Sequence, residues 1–374
     1  MKKSAVALSL SAALLSAPTF AHDDNGATQV PHLDHVFLIM MENHAYTQII
    51  GNSNAPFINQ LATTANLATN YYGVGHPSLT NYLETVGGSN FGIVNDNSPN
   101  WHNGPFDPNL DSPLSGTGTD TATPANIAPF NVALPAAPYT AMTIADQLVA
   151  AHKSWKSYQE SLPATGADNV NYSDGDFSNL DAVDHSKVQH LYAVKHNPFV
   201  YFDNVQQNTD PNNGLGNSVG FDGLNGLYAD LRSGEVPNFS FIAPNQCHDM
   251  HGAGGGSALC GGDTLIQAGD ATVQKLVAAI KGSPAWKHGN NAIVIVWDEN
   301  DFSNSPNQVV NIVDTNYGVK GVTSDKPYNH FSLLKTMEAG FGLQCLNHAC
   351  DGNVQVMSDM FAGDSQHQQH DGNH

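Results

Sequence analysis

Eight side chains of this sequence could bind a cation, seven of them just after short apolar runs. Glu42 and Asn43 follow HVFLIMM (35–41), and Asp298 and Glu299 follow AIVIVW (292–297). His248, Asp249 and His251 lie just beyond FSFIA (239–243), and His330 precedes a late helical stretch. Carboxylate and amide oxygens with imidazole nitrogens suit a divalent cation, and only a folded chain could gather donors so far apart. Each alone could be a cap, a turn residue or a solvated charge. Three clusters after three apolar runs favour the joint reading.

His76-Pro77-Ser78 is the second chemical feature, because Ser78 opens the helical stretch SLTNYLETV (78–86). A serine hydroxyl needs a base or a metal to become a nucleophile, and a helix start offers N–H groups and partial positive charge to an anion. Asn81, one turn later, could aim its amide at the same place. Spacing alone favours a plain helix cap. GNSVG (216–220) matches the G-x-S-x-G pattern of serine esterases, and HGAGGG (251–256) is vaguely like their oxyanion loop. Context opposes both, since GNSVG has no apolar strand before it and HGAGGG follows the serine. No phosphate-cradling Walker loop is present.

The elements that must position these residues read as alternating strands and helices. Helices are expected over 57–68, 78–86, 143–151, 270–280 and 331–339, and a further strand over 154–158. The 273, 276, 277, 280 spacing marks one apolar helix face. The pattern predicts an α/β fold with a mostly parallel central sheet flanked by helices, carrying long polar loop insertions at 97–140 and 164–182. Ligands of such sheets bind beyond the carboxyl ends of the strands, where the donor clusters fall.

The chain has 374 residues, with 34 acidic against 13 basic and a formal charge of −21. Such a surface repels phosphate backbones and anionic lipid headgroups, so no nucleic-acid partner is expected. Residues 1–21 read as a secretory signal peptide, with Lys2 and Lys3 before an apolar stretch and a small-residue cleavage site at Ala21. Its removal takes two lysines and no acid, so −21 becomes −23. A periplasmic or secreted protein without a stable membrane anchor is expected, the apolar run being short for a span. Residues 22–363 read as one domain, and 364–374, with His367, His370 and His374, as a disordered polar tail outside the site. The four cysteines then fall in an oxidising compartment. Local pairing, Cys247 with Cys260 and Cys345 with Cys350, is preferred to a zinc site because no C-x-x-C is present.

Taken together, MENH (41–44), HPSLTNY (76–82), WKSYQE (155–160) with Pro163, KHNPF (195–199), PNQCHDMH (244–251), WDE (297–299) and YNHF (328–331) resemble the bacterial phosphoesterase family. That family includes acid phosphatases and phospholipase C enzymes and is related to the alkaline phosphatase superfamily. The resemblance spans about 34–343 in the family's order. It implies an alkaline-phosphatase-like fold, metal ligation by Glu42, Asn43, Asp298 and Glu299, and Ser78 as nucleophile. It further implies that Asn81 contacts the transferred phosphoryl oxygens, and that Asp249, His251 and His330 lie near a second metal site. Lys195, His196 or His248 would add positive charge or protonate the leaving group. The all-oxygen set departs from the superfamily's Asp and Asp-His pattern and favours Ca²⁺, Mg²⁺ or Mn²⁺, with Zn²⁺ an option at a second site. The usual proline of the HPSLPNYL stretch is Thr80 here.

The implied function is metal-assisted hydrolysis of a small phosphorylated substrate through a phosphoserine, a phospholipid or phosphoinositide headgroup being one candidate. A phosphomonoesterase of acid phosphatase type is the expected activity. The alternatives are a phospholipase C-type phosphodiesterase and a non-catalytic secreted metal-binding protein.

Overall fold

The three apolar runs form three adjacent strands in the middle of one sheet. The computed structural model describes residues 30–93, 96, 139–162, 164–166, 172–173, 191–252, 260, 262–302 and 306–362. The signal-peptide segment, nearly all of the 97–140 excursion, most of the 164–182 stretch, residues 253–256 of HGAGGG, Pro163 and the histidine-containing tail lie outside these.

In chain order the strands are β1 (His35–Met41), β2 (Asn66–Ala68), β3 (Tyr71–Tyr72), β4 (Trp155–Gln159), β5 (Tyr172–Ser173), β6 (Tyr192–Ala193), β7 (Ser218–Val219), β8 (Phe239–Ala243), β9 (Asn291–Trp297), β10 (Asn311–Thr315), β11 (Thr323–Ser324) and β12 (Tyr328–Asn329). The helices are α1 (Tyr46–Ile49), α2 (Pro56–Thr64), α3 (Ser78–Gly87), α4 (Ile144–Ala150), α5 (Asp203–Gln206), α6 (Leu227–Ser233), α7 (Leu265–Gly282) and α8 (His330–Phe341).

Eight strands form the main sheet in the order β11-β2-β10-β9-β1-β8-β4-β7. Only β10 runs against its neighbours in it; the other pairings are parallel. Every residue of β8 and β9, and all of β1 but His35, is buried. A parallel strand covered on both faces needs such a continuous apolar run. Helices supply the cover: α2 and α6 pack on α7, while α3 packs on α8 and α4.

Register makes the site. Met41 pairs with Trp297, so Glu42 and Asp298 leave the sheet side by side, and Asp298 N–H donates to Met41 O at 3.0 Å.

The expected elements differ in places. The helix expected over 57–68 ends at Thr64, and Asn66–Ala68 instead forms β2, paired with β10. Ala65 turns to an extended backbone there, and a run as short as Asn-Leu-Ala carries no period that separates strand from helix. Helix α7 begins earlier than expected, where Thr264 Oγ accepts the Gln267 N–H at 3.2 Å, and its buried face includes Val273, Leu276, Val277 and Ile280. Both local disulfides, Cys247–Cys260 and Cys345–Cys350, are present. Among the described residues no helix is long and apolar enough to cross a membrane.

Candidate active site

Three chain segments converge at the carboxyl end of the sheet. After β1, Asn43 takes a left-handed backbone (φ 48°), a conformation asparagine tolerates better than most residues. After β9 come Asp298 and Glu299. The loop before α3 runs tightly beneath them, and a Cβ at Gly73 would lie 2.6 Å from Asp298 O. Only glycine allows that approach without displacing the strand end.

Ser78 is the first residue of α3, with Pro77 before it as a cap that offers no side-chain hydrogen bond. Its Oγ donates to Glu42 Oε2 at 2.9 Å and lies 3.3 Å from Glu299 Oε1 and 3.4 Å from Lys195 Nζ. The Asn43 amide is 3.5 Å from Oγ; with its nitrogen turned inward it donates to Glu42 Oε2 at 3.1 Å and Glu299 Oε1 at 3.2 Å. Glu42, Asp298 and Glu299 are all buried. The structure therefore gathers Glu42, Asn43, Ser78, Glu299 and Lys195 at one point, with Asp298 beside them through the Asn43 N–H at 3.2 Å.

His196 is wedged behind this group. Its Nε2 lies 3.0 Å from Glu42 Oε1 and its Nδ1 3.3 Å from Asp249 Oδ2, and its ring stacks on Tyr82. Burial opposes its charge, but the Glu42 carboxylate and then Asp249 push the imidazole up to about 9. Burial likewise works to raise Glu42, yet the His196 charge holds that carboxyl well below its usual range. Burial pushes Asp298 and Glu299 well above theirs, helped at Asp298 by the charge of Glu42 and at Glu299 by that of Asp298. Lys195 keeps its proton despite burial because Asp96 and Glu42 face it.

Other expected residues take different places. Asn81 Oδ1 accepts from Val74 N at 2.9 Å and Gly75 N at 3.1 Å, and its Nδ2 donates to Gly75 O and Glu299 Oε2, both at 3.1 Å. All four of its hydrogen-bonding positions are committed here, to the loop before α3 and to Glu299, which itself lies beside Ser78. His330 Nε2 bonds Asp298 O at 2.6 Å and its Nδ1 meets Tyr71 OH at 3.0 Å, so both ring nitrogens are engaged by the protein. Burial lowers that imidazole to about 4, consistent with a neutral ring. His251 Nδ1 is tied to Gly252 O at 2.9 Å, and its Nε2 faces Lys195 Nζ at 3.1 Å. Asp249 holds His196 and the His251 N–H. His248 pairs with Glu160 at 2.8 Å, at the end of β4.

The polar atoms of Asp249, His251 and His330 are thus engaged by protein groups in this arrangement. Among the described residues no three His, Cys, Asp or Glu side chains are arranged as a finished one. The first set fits a divalent cation in kind. Its donors are hard oxygens, its carboxylates are buried together, and Asp298 Oδ2 is buried without a hydrogen-bond partner among the described residues.

Three contributors were not singled out from the sequence. Asp96 accepts from Leu79 N–H and Lys195 Nζ, His76 Nδ1 lies 2.8 Å from Glu299 Oε2, and Tyr82 stacks on His196. His76 stood in the HPS motif and could have been read with it. Asp96 had no signal, being one acid in a polar loop. Ser218 of GNSVG is buried on β7 and accepts from Asn197 Nδ2 at 3.2 Å, a structural contact.

The sequence profile of the phosphoesterase family matches residues 52–344, and the chain belongs to that family. Glu42 and Asn43 precede the matched span. An acid phosphatase of Aspergillus fumigatus is 26% identical over 322 residues, covering 85% of this chain and 57% of that one. A phosphatidylinositol-3-phosphatase of Mycobacterium tuberculosis is 29% identical over 327 residues, covering 86% and 82%. The chain thus spans less than two thirds of the fungal relative's length. Among solved structures, a protein in the alkaline phosphatase superfamily from Vibrio parahaemolyticus aligns at 12% identity over 89% of this chain and 76% of that one, with a TM-score of 0.47.

Proposed function

We propose that this protein is an exported, divalent-metal-dependent phosphomonoesterase that works through a phosphoserine at Ser78. The observation that carries the reading is the setting of Ser78: it begins α3, donates to Glu42 at 2.9 Å and has the Lys195 ammonium 3.4 Å from its Oγ. Relatives named acid phosphatase and phosphatidylinositol-3-phosphatase support a phosphate monoester over a phospholipase C-type diester, and the second supports a phosphoinositide headgroup as one substrate class. Export is supported by the signal-like residues 1–21 and by two disulfides, which oxidising compartments favour.

In the first step Ser78 Oγ attacks phosphorus in line; the Oγ–P bond forms as the bond from phosphorus to the alcohol oxygen breaks. Glu42 Oε2 accepts the hydroxyl hydrogen and so orients the attacking oxygen; the serine proton ends on the departing alcohol oxygen, and in the second step one proton of the attacking water returns to Ser78 Oγ. The alcohol leaves protonated. Water then attacks the phosphoserine, the Oγ–P bond breaks, Ser78 regains its hydrogen and inorganic phosphate is released. Lys195 faces the charge that gathers on the phosphoryl oxygens, while His196, held by Asp249, keeps Glu42 oriented and ionised. A divalent cation held by Glu42, Asn43, Asp298 and Glu299 would lower the hydroxyl pKa and offset the charge of the phosphate.

Ser78→Ala is expected to lower kcat on p-nitrophenyl phosphate by at least ~10³-fold. Exhaustive chelation should abolish turnover, and adding back Ca²⁺, Mg²⁺, Mn²⁺ or Zn²⁺ singly would identify the cation. A Ser78→Ala enzyme with most of its activity, or a chelated one at full rate, would sink the scheme. Faster hydrolysis of p-nitrophenylphosphorylcholine would favour the diesterase.

A further inference from the structure

Asp96 has a carboxylate where the proposed reaction needs an anion. Its Oδ1 accepts the Leu79 amide N–H at 3.1 Å, in the first turn of α3, and its Oδ2 accepts from Lys195 Nζ at 3.0 Å. The same Nζ is 3.4 Å from Ser78 Oγ, and Leu79 is the next residue after the nucleophile. A helix-start amide and an ammonium beside a nucleophile are the donors that phosphoryl oxygens seek, and two oxygens on one carbon occupy them here as two on one phosphorus would.

The geometry points to Asp96 as an internal competitor of the substrate, a carboxylate that occupies the phosphoryl seat beside Ser78 and must leave it when a phosphate ester binds. Two further observations fit. The Asp96 side chain is 35% exposed whereas Lys195 is 6% exposed, so the carboxylate lies at the mouth of the site and the ammonium beneath it. Glu42 and Glu299 also face Lys195, so carboxylates besides Asp96 favour its charged form. A displaced Asp96 would still stand near the bound phosphate and repel it, which weakens substrate and product together and speeds release of inorganic phosphate. A structural role for Asp96, holding Lys195 in place and capping α3, requires the opposite sign: losing it would then weaken phosphate binding.

The inference rests on Ser78 being the nucleophile, and its test separates the two. Asp96→Asn and Asp96→Glu are compared with the parent on p-nitrophenyl phosphate in the metal-supplemented enzyme, with inorganic phosphate as inhibitor. Asp96→Asn should lower both KM and the phosphate inhibition constant by roughly tenfold, the scale of one close charge pair in a solvated site. Asp96→Glu, which keeps the charge, should fall between. Independently of turnover, inorganic phosphate titrated calorimetrically into Ser78→Ala and Ser78→Ala/Asp96→Asn should bind the double variant more tightly by a similar factor. A higher KM and weaker phosphate binding in Asp96→Asn, or no change in either, would overturn the proposal. Activity retained by Ser78→Ala would instead refute the nucleophile, and that result is read separately from the titration.

Discussion

Lys195 gives the residue scale its clearest case. Its ammonium is buried among Asp96, His251 and Ser78, and it faces the carboxylates of Glu42 and Glu299 as well. A cation so enclosed acts on a phosphoryl group through little intervening water, where a charge interaction is far stronger than at a surface. Lys195→Met is nearly isosteric and removes only the charge. It is expected to cut kcat/KM for p-nitrophenyl phosphate by ~10²-fold or more, with vanadate inhibition weakened in parallel. Unchanged vanadate affinity would show that Lys195 does not meet the phosphoryl group. Residue identity made some of this legible beforehand: Glu42, Asn43, Ser78 and Glu299 were chosen for their chemistry and do meet. Asn81 and His330 were chosen the same way, and the fold sets their polar atoms against Gly75, Glu299 and the main chain of Asp298, contacts that no local pattern encodes.

At the scale of elements, α3 carries Ser78, the proposed nucleophile, at one end and a structural junction at the other. It ends in Gly88, whose backbone is left-handed (φ 71°) and whose carbonyl accepts from His348 N at 2.9 Å, in the loop closed by Cys345–Cys350. A Cβ at Gly88 would lie 2.4 Å from Leu346 O. Gly88→Ala therefore meets both a conformational penalty and a backbone clash, and is expected to cost about 2 kcal/mol or more of stability by urea unfolding. A variant within error of the parent would mean that the junction adjusts freely. The long buried strands β1, β8 and β9 were readable because burial on both faces demands an unbroken apolar run. Two- and three-residue strands such as β2, β7 and β11 were not, because their pairing is set by partners distant in sequence.

The whole molecule carries a buried acid remote from the substrate chemistry. Glu338 on α8 is 1% exposed, and burial raises its carboxyl from 4.5 to about 9. Below pH 4.5 the group is protonated whether the chain is folded or not. As pH rises from there the unfolded chain ionises while the folded one does not, so stability falls progressively until about pH 9 and then levels. Glu338→Gln removes this dependence. Its melting temperature should match the parent's near pH 4 and exceed it increasingly towards pH 9, by on the order of a few kcal/mol of stability at neutral pH. Parallel pH profiles for the two proteins would refute the assignment.

By itself the sequence determined the kind of chemistry and the kind of scaffold. Side-chain type decides which atoms can ligate or attack, and solvent exclusion forces the central strands to be apolar, so both are written locally. Only the tertiary structure decided which donors meet. The Met41–Trp297 register sets Glu42 beside Asp298, and the tight loop at Gly73 leads into α3, whose Ser78 meets Glu42 and Glu299. His330 bonds the main chain of Asp298, while Asp96 reaches Lys195 from a polar loop. Those pairings depend on distances between segments far apart in the chain, and no local pattern encodes them.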